Sequence, residues 1–288
     1  MIEQNSITII GKGAVGGVLF DFFEGHSFSI RSVWDSKQVE IRSSIDNSSS
    51  ILEKNLPTQE REMGDMIFIC VPDDQIRGLC DNLAESPLQW ENRSIVHCSG
   101  NLASDSCSSL KYRGANVAAM HPIQTFRKGD RLDRLKDIYI TLEGDDELIL
   151  DLEAIIDQMG AHSLRITADQ KRVIHIASVI ASNYLVSLMH ISDTLLKDAG
   201  IHESLEIIQP LVTQTVHNIF KKGVNESLTG PISRGDFESV QHHLNHLKMN
   251  HPYSDIYKLL GVEALSIVQE NKGLDKETIN QFIALLGR

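Results

Sequence analysis

Ile7-Thr8-Ile9-Ile10-Gly11-Lys12-Gly13-Ala14-Val15-Gly16 is the stretch whose reading decides the fold. Its four apolar or β-branched residues read as a buried strand. A glycine-rich turn follows, and the apolar pattern then runs on to Phe23 as a helix. The GxGxxG spacing is weak by itself. Here a strand precedes it, a helix follows it, and Asp35 closes the next apolar strand, Phe28 to Trp34, 19 residues past Gly16.

Each element of that pattern has a physical use. Gly11 makes the tight turn, Gly13 lets a diphosphate approach the backbone, and Gly16 lets helix and strand pack closely. The helix N-terminus faces the negative charge. Gly11, Gly13, Ala14, Val15 and Gly16 are therefore the expected dinucleotide cradle of a Rossmann domain. Asp35 suits the two ribose hydroxyls of NAD and repels a 2′-phosphate. Lys37 and Arg42 follow closely and could pair with such a phosphate, so NADP stays open while the reading favours NAD. The strand exits Val71-Pro72-Asp73 and Ser99-Gly100 fall where the rest of the cofactor should lie, with turn chemistry as their plain alternative.

Outward from this unit, Met66–Val71, Ser94–Cys98, Asn116–Met120, Ile138–Leu142 and His162–Ile166 read as strands, and Asp146–Met159 as a helix. The segment Asp35–Gly64 is polar and poorly periodic, and Ser48–Ser50 reads as a loop. Strands alternating with helices imply a doubly wound, mostly parallel sheet. From Ala168 only helices are expected: Ala168–Ala199, Ser204–Lys222, Asp236–Met249, Pro252–Gln269 and Lys276–Leu286. The division is an α/β domain over 1–167 and an all-α domain over 168–288.

The 288 residues carry a formal net charge of -12. So acidic a surface repels phosphate backbones and argues against nucleic-acid partners. No apolar run approaches the ~18 residues a membrane helix needs. No signal pattern opens the chain, and a cytoplasmic location is expected. Cys70, Cys80, Cys98 and Cys107 lack zinc-pair spacing and read as buried, reduced thiols.

Val71-Pro72-Asp73, His97-Cys98-Ser99-Gly100, Met120 to Phe126, Ala181-Ser182-Asn183-Tyr184 and Leu228 to Asp236 occur in that order. Together they resemble a bacterial family with a Rossmann-like domain and a helical partner, domain of unknown function 2520. That family is similar in architecture to 6-phosphogluconate dehydrogenase, pyrroline-5-carboxylate reductase and coenzyme-F420-dependent NADP reductase. The resemblance implies a nicotinamide-binding oxidoreductase that dimerises through its helical domain, and it names no substrate. Relatives often carry Ser-Arg near the end of the second strand, whereas this chain has Asp35-Ser36-Lys37.

His121, before Pro122 at a strand exit, is the first candidate for proton transfer; its plain alternative is a loop-fixing histidine. Prephenate dehydrogenases have a similar His-Pro element. At 100° per residue Lys171, His175, Ser178 and Ser182 share one helix face, with Asn183 on its flank. Lys171 and His175 are further catalytic candidates, against an ordinary amphipathic edge. Ser99, Gly100, Ser182, Asn183 and Arg234 are expected substrate contacts, Arg234 as a carboxylate clamp unless it pairs locally with Asp236. His242, His243 and His246 lack a carboxylate or cysteine partner, so no metal site is expected. The resulting expectation is an NAD(P)-dependent oxidoreductase acting on a small polar, carboxylate-bearing molecule in an interdomain cleft. A dinucleotide-binding regulator without catalysis is the rival, and a scaffold serving dimerisation alone is a third reading.

Overall fold

Continuous burial along the central strands builds the first unit. The computed structural model describes residues 6–26, 28–35, 39–42, 49–52, 59–247, 253–271 and 273–287, with 39–42 and 49–52 as backbone. β1 (Ser6–Ile10), α1 (Ala14–Gly25), β2 (Ser29–Trp34), β3 (Val39–Arg42), β4 (Ser49–Leu52), β5 (Met66–Ile69), α2 (Asp73–Ala84), β6 (Ser94–His97), α3 (Ser108–Tyr112), β7 (Asn116–Pro122), β8 (Tyr139–Gly144), α4 (Asp146–Gln158) and β9 (His162–Arg165) follow in order. Among the described residues the strands form one sheet of nine, ordered β4-β3-β2-β1-β5-β6-β7-β8-β9.

The five central strands, β2-β1-β5-β6-β7, are parallel, and β9 runs parallel to β8. The β2–β3, β3–β4 and β7–β8 pairs are antiparallel. Ile9, Phe68, Val96 and Met120 face α1 and α4, while Ile10, Ile69, Ile95 and Val117 face α2 and α3. A parallel sheet buried on both faces is what βαβ crossovers produce. Each fully buried aliphatic or aromatic side chain contributes on the order of 1.5–3 kcal/mol relative to exposure. The sheet and the helical region are those expected from sequence.

Three segments depart from the expected elements. Residues 39–42 and 49–52 are strands in a stretch to which no strand was assigned, the second where a loop was expected at Ser48–Ser50, and α2 occupies a span to which no helix was assigned. Pro72 is the α2 N-cap and Asp73 and Asp74 fill its first turn, where acids oppose the helix dipole. The expected turn at Pro72-Asp73-Asp74 is thus a helix start.

The chain divides into two compact units, 1–182 and 183–288. The sequence places that boundary at 167/168, ahead of α5 (Ala168–Ser178). α5 packs with the first unit because its Lys171 is buried there and its first turns touch β8. After α5 comes a π-helical turn, Val179–Asn183. The second unit holds α6 (Tyr184–Asp198), α7 (Ser204–Lys222), α8 (Val224–Ser227), α9 (Phe237–Leu247), α10 (Tyr253–Glu270) and α11 (Lys276–Leu286). Its core is Ile232, Val240, Leu244, Leu265, Val268, Phe282 and Leu286.

Candidate functional site

The glycine loop is shaped by backbone crowding. Gly11 has φ +96°, and a Cβ there would lie 2.6 Å from the Cys70 carbonyl oxygen. A Cβ on Gly16 would lie 1.9 Å from the Gly11 oxygen. Gly13 differs, since nothing lies within 4 Å of a Cβ built on it. Gly13 is also the α1 N-cap, with no side-chain capping bond and no acid in the first turn. The loop therefore presents open space and uncapped backbone N–H groups to an anion, which fits a diphosphate. Ala14 and Val15 open α1 half-buried, Val71 packs beside Gly11, and Asp35 follows β2 exposed. Lys37 and the side chain of Arg42 lie outside the described residues.

A second group of polar residues arises from sheet register. His97 on β6 pairs with Ala119 on β7, and Ala119 pairs with Glu143 on β8. Directly paired residues share a face, so the Ala119 methyl stands between an imidazole and a carboxylate. His97 Nε2 bonds the Ala103 carbonyl at 3.0 Å. Glu143 accepts from the Ser104 N–H at 2.7 Å and from its hydroxyl at 2.9 Å. Ser99 Oγ accepts from the N–H groups of Asn101 and Leu102. The 99–104 loop is thus tied down at both ends. His97, Ala119, Glu143 and Ser104 were not chosen from sequence; the one signal was a histidine closing the apolar strand Ser94–His97.

Gly100 at the crest of this loop touches both imidazoles picked from sequence. A Cβ there would lie 2.7 Å from His175 Nδ1 and 2.8 Å from His121 Nε2. The His121 and His175 ring centroids are 6.2 Å apart and nearly edge-on. Lys171, one helical turn before His175, is 1% exposed, and its Nζ has no hydrogen-bond partner among the described residues. His97 Nδ1 is buried and unpartnered likewise. Such orphaned groups are uncommon and point to a ligand or water that completes them.

The electrostatics separate these groups by role. Burial lowers the Lys171 ammonium to about 8, against the opposing pull of Glu143, Cys98 and Asp73. Burial, with Lys171 and His175 adding repulsion, lowers His121 to about 4. Burial also lowers His97 to about 4, although its bond to Ala103 opposes this. At neutral pH the corner therefore holds one ammonium and two neutral imidazoles. His121 was expected to shuttle a proton near neutrality; its burial beside Lys171 removes it from that range. Asp73 was expected at the cofactor's ribose or diphosphate. It opens α2 exposed, within electrostatic reach of Lys171 and His97.

Residues 138–264 match the family model for Domain of unknown function (DUF2520). The match covers 127 of the 288 residues. No curated protein of known function matches the sequence. The fold is shared with a Bacteroides fragilis protein provisionally named an NADP oxidoreductase, at 20% identity and TM-score 0.70, over 92% of this chain and 99% of that one. A Thermotoga maritima protein is similar at 21% identity and TM-score 0.67, again over 92% and 99%. An imine reductase from Myxococcus stipitatus in complex with NADP+ is similar at 15% identity and TM-score 0.60, over 96% and 99%.

The DUF2520 segment spans Glu143, Lys171 and His175, and the glycine loop, His97, Gly100 and His121 lie before it. Of its other expected contacts, Ser182 is half-buried in the π turn and Asn183 is exposed. Ser178, on the expected polar face, gives its hydroxyl to the Ile174 carbonyl. Arg234 is exposed on a turn in the second unit, and Asp236 accepts from the Ser239 N–H and hydroxyl at the start of α9. His242, His243 and His246 are exposed on α9, and His243 Nδ1 meets the Tyr257 hydroxyl at 2.8 Å. Among the described residues, no group of three His, Cys, Asp or Glu is placed to hold a metal.

Proposed function

We propose that this chain is an NAD(P)-dependent oxidoreductase in which Lys171 is the proton donor to a small polar substrate. The observation that carries the reading is the orphaned, buried Lys171 ammonium on α5, within electrostatic reach of the neutral His97 and His121, whose strands belong to the sheet that carries the open glycine loop. Gly11, Gly13, Ala14, Val15 and Gly16 would hold the diphosphate, and Val71 and Ser99 would lie along it. A bound nicotinamide supplies or takes up hydride. Lys171 Nζ gives its proton to the substrate oxygen or nitrogen, and a value near 8 suits an acid working at neutral pH. His121 hydrogen-bonds the substrate as a neutral ring with His175 beside it, and the tied-down 99–104 loop holds both through Gly100. The same ammonium would attract a carboxylate on the substrate. Asp35 favours NAD at the ribose, while the likeness to an enzyme holding NADP+ keeps both cofactors in the test.

The test is a calorimetric titration with NAD and NADP, followed by a screen of keto acids, imines and hydroxy acids read at the NADH absorbance. Lys171→Met should keep dinucleotide affinity and lower turnover by about 10²–10⁴. Unchanged turnover in that variant would remove Lys171 from the chemistry, and failure to bind either dinucleotide would remove the reading itself.

The proposed assembly is a homodimer. α6 has no buried residue in the single chain, and Val186 on α6 and Phe220 on α7 are 69% and 87% exposed. Contiguous apolar side chains on a surface mark an interaction face.

A further inference from the structure

We propose that Cys70 and Cys98 form a reversible oxidative modification site, a dithiol that closes to a disulfide beneath the glycine loop. Cys70 follows β5 and Cys98 follows β6, one step beyond the paired residues Ile69 and His97. Their sulfurs lie 3.5 Å apart, with the Cys70 thiol as donor. Adjacent strands run ~4.7–4.9 Å apart, within the Cα separation a disulfide accepts. Both cysteines were expected to be buried and reduced, yet both are half-buried. The other close pair, Cys80 and Cys107, is fully buried between α2 and the turn before α3, so a reagent in solution does not reach it.

The position of the pair gives the modification a consequence. The Gly11 and Gly16 Cβ positions fall 2.6 Å from the Cys70 oxygen and 3.0 Å from its Cβ. The cradle thus rests on Cys70 with no slack. Cys98 lies within electrostatic reach of Lys171, and Ser99 and Gly100 follow it directly. Closing the bond draws the sulfurs together by about 1.5 Å, to the ~2.05 Å of a disulfide. That movement loads the cradle from below and the imidazole loop from the side.

The chemistry balances with a small-molecule disulfide as oxidant. Cys98, whose sulfur accepts the hydrogen bond, attacks one sulfur of the oxidant, and a mixed disulfide forms with release of one thiol. Cys70 then attacks Cys98 Sγ; its proton goes to the departing sulfur, and a second thiol leaves. Two cysteine thiols are oxidised and one small disulfide is reduced to two thiols. Burial and the bond to Cys98 hold the Cys70 thiol protonated, so Cys98 is the entering group.

The experiment treats the full chain with oxidised glutathione, alkylates the free thiols and maps the peptides by mass. A Cys70–Cys98 cross-link, with Cys80 and Cys107 alkylated after unfolding, is the expected result. Recovery of Cys70 and Cys98 as free thiols, or a stable glutathione adduct without the cross-link, overturns the proposal. The consequence rests on the dinucleotide reading, whereas the peptide map does not, so the two can fail separately. Titration before and after oxidation should show affinity for the preferred dinucleotide weakened by about tenfold and restored by dithiothreitol. Cys98→Ala should give one affinity under both conditions. Equal affinity of the reduced and cross-linked wild-type protein overturns the regulatory consequence.

Discussion

Lys171 and its neighbours set the chemistry of the site by what they lack. An ammonium 1% exposed with no partner is costly to hold, and its lowered value records that cost. The folded form binds a proton less readily than the unfolded chain, which titrates near 10.5. The stability cost is therefore full below about 8 and fades as pH rises toward 10.5. Over the same rise Lys171 loses the proton it donates, so reduction should slow above about pH 8. A kcat/KM profile flat through pH 8 would assign the proton elsewhere. His97 works in the acid range. Its value falls from 6.5 to about 4 on folding, so stability is present above 6.5 and is lost as pH drops through 4. For so buried a ring the loss at pH 4 is on the order of a few kcal/mol, visible as an acid-side fall in melting temperature that His97→Asn should shrink. Gly100→Ala places a methyl against two ring edges, which can swing aside. Its melting temperature should stay near wild type, while turnover falls by about tenfold or more.

Elements explain why parts of this site were legible and parts were not. The glycine loop announced itself because its spacing has a single geometric use, and two variants separate its functions. Gly13→Val should abolish dinucleotide binding with the fold intact, because its Cβ enters open space. Gly16→Val should also unfold the domain, because its Cβ meets the Gly11 oxygen at 1.9 Å. Circular dichroism with a titration separates the two; a Gly13 variant that binds normally would place the diphosphate elsewhere. Lys171 and His175 were legible as a helix face, since both precede the π turn at Val179. Ser182 lies inside that turn, where the 100° count no longer applies. His97 and Glu143 were hidden because neither has a partner nearby in sequence. They meet only through the pairing of three strands across Ala119. β4 was missed because Ser49-Ser50-Ile51-Leu52 lacks the two-residue alternation of a half-buried strand, and β3 because its alternation, Val39-Glu40-Ile41-Arg42, spans only four residues inside a polar segment. Thr167 caps α5 in a reciprocal pair with Gln170, one turn from Lys171. Thr167→Ala should cost about 1 kcal/mol, read by thermal melting.

At the scale of the whole molecule, the helices carry more apolar surface than the single chain covers. One stretch, Ala168–Asp198, is long and apolar enough to cross a membrane by length and composition. No apolar run of that length was expected, because polar residues such as His175 and His190 punctuate the stretch. Dimerisation predicts that light scattering gives twice the 32.1 kDa chain mass, and that Val186→Glu with Phe220→Glu returns the monomer. A monomeric wild type, or one that partitions into detergent micelles, would overturn the dimer. The strand order also fixes a sequence of events in time. His97, Ala119 and Glu143 are brought together by pairings 22 and 24 residues apart, whereas β1 reaches β5 through a pairing of Ile7 with Met66, 59 residues apart. Loop closure over the longer separation is the slower step. On dilution from denaturant, the β6-β7-β8 pairings that join His97, Ala119 and Glu143 should form before the β1–β5 pairing that seats the glycine loop. In a stopped-flow refolding experiment, NADH fluorescence enhancement should lag behind the recovery of helical ellipticity.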